Sequence, residues 1–215
     1  MSPIAVLLAL GSTIRPTSLA AVDALLVSAR ARRLLLAYVV AGVLVSVGIG
    51  VLLVSVLHHV VAASPRGHAG FELLFGLGAL AAAVLVARRP REAGSGSADH
   101  GGRIAARLRD PSVVAAAVAG ILTHFPGVFY IAALDAIIST NPGFVDGVVQ
   151  VCVYNAIWFA VPIAALTLSI VDHERTRARV DAANAWARRH EHTAGPLLLV
   201  AVGAYLVVKA LVELL

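Results

Sequence analysis

The chain has 215 residues, of which 60% are hydrophobic and only 13% charged, with a mean hydropathy of +0.89. A soluble domain carries roughly 25% charged residues, so a soluble globular fold is excluded. A formal charge of +5 and a pI near 10.1 invite a nucleic-acid partner, but the placement of the basic residues assigns them to topology.

Apolar segments of about 20 residues, enough to cross a ~30 Å hydrocarbon core, fall at 3–29, 34–57, 69–87, 112–139, 144–171 and 194–215. They predict an all-α membrane protein of six transmembrane helices with no room for a separate soluble domain. The N-terminus, Met-Ser-Pro-Ile-Ala, lacks the basic region of a secretory signal, so 3–29 reads as a retained span. That span is interrupted at Gly11-Ser12-Thr13-Ile14-Arg15-Pro16. Arg30, Arg32 and Arg33 separate it from the second span, whereas Arg66 is the sole basic residue before the third. Glu72 in the third span is expected at the interface, and Ala79-Leu80-Ala81-Ala82-Ala83 permits close helix packing within or between subunits, so a homo-oligomer is compatible with it.

Residues 90–110 are rich in Gly, Ser and Arg and read as a flexible cytoplasmic linker. They divide the chain into a first repeat, 1–89, and a second, 111–215, of three spans each. An odd number per half makes the halves enter the membrane in opposite senses, the inverted-topology arrangement of many secondary transporters. The fourth span breaks at Gly120-Ile121-Leu122-Thr123-His124-Phe125-Pro126, in a place matching the first break. The fifth holds Cys152, Tyr154, Asn155 and Pro162; the lone cysteine permits no disulfide within one chain and is expected to be a small core residue. The polar stretch 172–192 carries Arg175, Arg177, Arg179, Arg188 and Arg189. It reads equally as a helix lying on the bilayer with Trp186 at headgroup level or as a solvated connector. His173, His190 and His192 lack metal-ligand spacing. In the last span Lys209 and Glu213, four residues apart, suit an ion pair.

Basic residues thus alternate, rich loops after spans one, three and five and poor loops after two and four. Basic loops stay cytoplasmic, which predicts that both termini lie on the outer side of the membrane.

A proline inside a membrane helix removes a donor and clashes with the carbonyl one turn back. The freed groups persist only against protein or a wet cavity, and paired interruptions in two halves point to a transporter's binding site. The candidate substrate-binding residues are therefore Thr13, Arg15, Pro16, Thr17, His124, Pro126, Tyr154 and Asn155. A charge near the bilayer centre costs ~2.5–3.5 kcal/mol, so Arg15 calls for an anionic substrate or for an ion pair with Asp23 or Asp135. Thr13, Thr17 and Ser18 are suited to repairing freed carbonyls, and Asn155 either glues helices or lines the cavity. Asp23, His124 and Asp135 are the candidates for proton coupling. The zincin His-Glu-x-x-His, the Gly-x-Ser-x-Gly elbow and the phosphate-cradling glycine loop are all missing from the sequence. The expectation is a non-enzyme without cofactor or bound metal.

The stretch Ala9-Leu10-Gly11-Ser12-Thr13-Ile14-Arg15-Pro16-Thr17-Ser18-Leu19, followed by Leu25 to Arg33, Ala37-Tyr38 and Gly42, resembles the start of the GAP/Sap-like family. These are the glycopeptidolipid- and sulfolipid-addressing proteins of actinobacteria. Phe125-Pro126-Gly127-Val128-Phe129-Tyr130-Ile131-Ala132-Ala133-Leu134, then Tyr154-Asn155 and Val161-Pro162, extend the resemblance over nearly the whole chain. It implies a six-span member of the LysE-like exporter superfamily that helps to export cell-envelope glycolipids. It carries over no catalytic residues. The leading expectation is a lipid or amphiphile translocator with a membrane lipid or glycolipid as substrate. Two others stand beside it: an exporter of a small solute such as an amino acid or metal cation, and a scaffold that binds a glycolipid synthase or exporter through its cytoplasmic loops.

Overall fold

The computed structural model describes residues 3–13, 15–63, 65–88, 111–140 and 143–214. The linker 90–110 and the side chains of Glu72, His192 and Glu213 lie outside the described residues. Helices follow one another as α1 (Pro3–Thr13), α2 (Pro16–Leu26), α3 (Ala31–Ala63), α4 (Pro65–Ala87), α5 (Val113–Thr123), α6 (Val128–Ile138), α7 (Phe144–Trp158), α8 (Ala160–Val171) and α9 (His173–Leu214). Among the described residues the secondary structure is all helical.

Three expected spans are bent pairs of short helices. The axis turns by 48° between α1 and α2, by 61° between α5 and α6, and by 58° between α7 and α8. Each bend has a proline as its cause, since Pro16, Pro126 and Pro162 give no N–H to the carbonyls of Ser12, Leu122 and Trp158. Within α3, Ala31–Val56 is long and apolar enough to cross a membrane by itself, and the three bent pairs pass the same test when each is taken as one span. The apolar parts of α4 and α9, Gly76–Leu85 and Pro196–Val212, are shorter than a span.

The polarity of the molecule is turned inside out. Leu44 (68% exposed), Val114 (71%) and Val212 (70%) cover the outside, while Ser46, Thr123, His124 and Asn155 are buried. That surface suits lipid, which leaves polar groups to be satisfied internally.

Packing divides at the bends. One apolar cluster joins α1, α6 and α7 around Tyr130, Leu134, Ile137 and Trp158. The other joins α2, the start of α3, α5 and Ala165 of α8 around Leu25, Leu35 and Tyr38. Each broken helix therefore gives one half to each layer, and the bends lie along the seam. The α3–α5 crossing is so close that a Cβ at Gly120 would strike the Tyr38 carbonyl oxygen. Helices α4 and α9 meet through a reciprocal glycine pair: a Cβ on Gly76 would lie 3.0 Å from the Gly203 carbonyl oxygen, and one on Gly203 2.9 Å from that of Gly76.

The polar stretch 172–192 is helical, as the first of the two expectations had it, with one face packed on protein. It is the first half of α9, a 42-residue helix running on into the last apolar segment. Asp172 starts it, its Oδ1 accepting the Arg175 N–H at 3.0 Å. Thr176, Val180, Asn184 and Ala187 are buried at helical spacing, and Val180 packs in the α2–α3–α5 cluster. That buried face turns the segment toward protein. Trp186 stays half-exposed with the His190 ring stacked 4.6 Å from its own.

Candidate functional site

At the seam the three bends meet. Arg15 is the residue before α2, in extended backbone (φ −115°, ψ 125°), as expected ahead of a proline. Its guanidinium carbon lies 5.9 Å from the centre of the Trp158 ring, the last residue of α7. A Cβ on Gly127, which precedes α6, would be 3.9 Å from Arg15 Nη2. One cation thus touches all three breaks.

Around it the helix ends are stitched by hydrogen bonds. Ser12 Oγ and Tyr154 Oη lie 3.0 Å apart, and Thr13 Oγ1 donates to the Ala9 carbonyl at 3.0 Å and to that of Ile157 at 3.1 Å. Tyr38 Oη bridges Ser18 Oγ (3.1 Å) and Thr123 Oγ1 (2.7 Å), which ties α2 to α5 through α3. Thr13 bonds the Ala9 and Ile157 carbonyls and Ser18 the Tyr38 hydroxyl, so among the described residues neither reaches the Ser12 carbonyl that Pro16 frees. Thr17 makes no hydrogen bond among the described residues, so only its position beside Pro16 links it to the site.

His124 is buried and walled by rings: Phe159 stacked at 3.9 Å, Trp158 at 5.2 Å and Tyr38 edge-on at 5.5 Å. Its Nδ1 lies 3.1 Å from Thr123 Oγ1 and 3.3 Å from the Gly120 carbonyl oxygen. Nε2 makes no hydrogen bond among the described residues. Trp158 is 2% exposed and its indole N–H likewise has no partner among them. An unpaired buried donor costs about 1–3 kcal/mol.

Asn155 is glue. Its Oδ1 accepts from Ser46 Oγ at 2.6 Å, and its amide donates to the Val151 carbonyl at 2.9 Å and Tyr130 Oη at 3.3 Å. Tyr130 Oη in turn donates to the Ser46 carbonyl at 2.6 Å.

The acids stand apart from Arg15. Asp135 on α6 pairs with Lys209 at 3.6 Å, and Lys209 also donates to Ser139 Oγ at 2.6 Å. Asp23 on α2 faces Arg177, Arg188 and Asp181 of α9. Residues 188 and 209 are about 30 Å apart along a helix rising 1.5 Å per residue, so the two acids serve opposite ends of the molecule. No carboxylate pairs with Arg15 among the described residues, which removes the expected alternative of an ion pair with Asp23 or Asp135. Cys152 is exposed on α7, not a core residue, because its helix turns that face outward.

Reading the sequence alone misses Tyr38, Gly127, Trp158 and Phe159. Pro162 carried the signal for two of them: the carbonyl it deprives is that of Trp158, and the bend falls at Phe159.

These features define a helical membrane protein with a half-buried cation, Arg15, where broken helices meet, and with no carboxylate paired to it among the described residues. The chain belongs to the family described as Sap, sulfolipid-1-addressing protein, whose model matches residues 5–212. A search of curated proteins and a search of solved structures gave no match.

Proposed function

We propose that this protein moves an anionic lipid, of which a sulfated glycolipid is the type, between the leaflets of the bacterial plasma membrane. The observation that carries the reading is Arg15, a cation at the meeting of three breaks with no carboxylate paired to it among the described residues. Arginine's planar fork suits a sulfate or phosphate ester. The Trp158 N–H offers a further donor, and His124 Nε2 can hydrogen-bond with a sugar hydroxyl. The acyl chains stay in the bilayer, against the apolar outer surface. The family's printed role, sulfolipid addressing, agrees with this substrate class.

The layered packing supports a reading of alternating access. Span one packs on span four, span two meets both halves of span five, and α4 meets α9, a pattern suited to two inverted three-helix repeats with both termini outside. Rocking at the seam exposes Arg15 to one leaflet and then the other. Asp23 and the Asp135–Lys209 pair stand at the two ends as gates or proton carriers. The protein supplies binding and access, not bond chemistry, in the manner of LysE-like exporters.

The test is reconstitution in liposomes with a fluorescent sulfated glycolipid and an impermeant quencher. Wild type speeds the exchange of label between leaflets and Arg15→Gln does not. Equal rates for wild type, Arg15→Gln and empty liposomes reject translocation and leave a scaffold role.

A further inference from the structure

We infer that the protein carries a second anion site, separate from Arg15, which takes a phosphate- or sulfate-ester headgroup at the basic end of the helix bundle. An open basin of about 540 Å³ lies there, lined by Ser28, Arg30, Arg32, Arg33, Ser169 and His173. It joins the turn after α2, the start of α3 and the junction of α8 with α9.

The electrostatics of the basin are one-signed. Helices α3 and α9 both begin in it, at Ala31 and His173, and each N-terminus carries a partial positive charge. Arg32 and Arg33 occupy the first turn of α3, where cations are disfavoured, and no acid stands in that turn. Of the two acids that flank His173, Asp172 is taken up by Arg175, whose Nε lies 3.2 Å from Oδ2, and Glu174, in the first turn of α9, is exposed and does not line the basin. Arg32 is oriented by a 3.2 Å hydrogen bond from Nη2 to the Ile170 carbonyl, which caps the end of α8 and leaves its other donors for a ligand. Ser28 Oγ accepts the Arg30 N–H at 3.2 Å and fixes the turn. The cations are thus held around one space with no protein anion lining it.

The rim says what carries the anion. Val27 is 58% exposed beside Ser28, and Val171 is 85% exposed two residues after Ser169. Leu36, also exposed, lies one turn along α3 from Arg32 and Arg33. Apolar side chains open to the outside next to an anion basin fit a headgroup whose acyl chains rest against the helix ends. A free phosphate offers the same chemistry to the arginines but nothing to this rim.

The test is native mass spectrometry of the full-length protein in neutral detergent, with phosphatidic acid or phosphatidylcholine added. Wild type retains phosphatidic acid over phosphatidylcholine. The variant R30Q/R33Q, which spares the Arg32 cap, loses that retention at least tenfold. The control R179Q/R189Q, with two arginines removed from the exposed side of α9, stays within twofold of wild type. Millimolar inorganic phosphate that displaces the lipid identifies a bare-anion site; failure to displace it identifies the lipid headgroup. Unchanged binding in R30Q/R33Q overturns the proposal, as does an equal loss in the control, which means diffuse charge. The proposal does not rest on translocation: Arg15→Gln keeps this binding. Loss of binding in Arg15→Gln alone places the lipid at the seam and also overturns it.

Discussion

Replacing Arg15 by glutamine separates a ligand-seeking cation from a structural one by the sign of its effect on stability. A charged side chain near mid-membrane costs ~2.5–3.5 kcal/mol, and Arg15 has no carboxylate among the described residues to offset it. Its one charge-specific contact is the Trp158 ring at 5.9 Å, worth ~0.5–2 kcal/mol. Glutamine removes both, so the unliganded variant should be more stable by roughly 0.5–3 kcal/mol, on the balance of those two magnitudes. Affinity moves the other way. A hydrogen bond to a charged group contributes ~1.5–3 kcal/mol, so a sulfated glycolipid should bind roughly 10- to 150-fold more weakly. Thermal melting in nanodiscs, with and without the lipid, reads both quantities. Wild type melts lower when empty and gains on adding lipid, by linkage; the variant melts higher and gains little. A variant that melts several degrees below wild type and still binds lipid would refute the reasoning, because Arg15 would then be anchored by the protein itself.

Trp158→Phe keeps an aromatic ring over Arg15 and removes the unpartnered N–H. It should lower lipid affinity about tenfold, the effect of one lost hydrogen bond of ~1.4 kcal/mol, as read by the same titration; unchanged affinity means the N–H faces no ligand. For Ser46→Ala and Asn155→Ala, a double-mutant cycle on denaturation should give a coupling of about 0.6–1.7 kcal/mol, the range for intramembrane hydrogen bonds. Additive losses would deny the 2.6 Å contact between the two side chains. Gly120→Ala drives a methyl into the Tyr38 carbonyl, a backbone group that cannot swing aside. It should cost ~1–3 kcal/mol in the melting transition, and a neutral outcome would mean that α3 and α5 cross more loosely.

Proline grammar made the helix breaks legible in the sequence. Pro16 and Pro126 mark two of them because a missing N–H acts locally, whatever the rest of the chain does. Pro162 marks the third, but its bend falls at Phe159, where the deprived turn begins. Partnerships over long sequence separations were not legible. Nothing within a few residues of Asp135 predicts Lys209, and nothing near Arg15 predicts a tryptophan 143 positions away. Helix α9 lies between these cases. Its buried positions Thr176, Val180, Asn184 and Ala187 keep helical spacing, yet two are polar and one is alanine, so the stripe is too weak to separate from a solvated connector.

Gly127 offers a perturbation in which folding and function part company. Its backbone, φ −109° and ψ −170°, is extended and open to any residue. The one atom that a Cβ would meet within 4 Å is Arg15 Nη2, at 3.9 Å, an ordinary van der Waals distance. Gly127→Ala should therefore fold normally and gain about 0.4–1 kcal/mol from the stiffer unfolded chain. A longer side chain grows from the same point into the space before the guanidinium, so Gly127→Leu fills the place where a headgroup oxygen must stand. The expected result is a graded series: alanine melts at or above wild type and still exchanges lipid, whereas leucine stays folded and exchanges none. Retained exchange in a folded Gly127→Leu protein would show that the headgroup approaches Arg15 from another direction. A Gly127→Ala protein that fails to fold would mean that the bends close more tightly than the 3.9 Å gap allows.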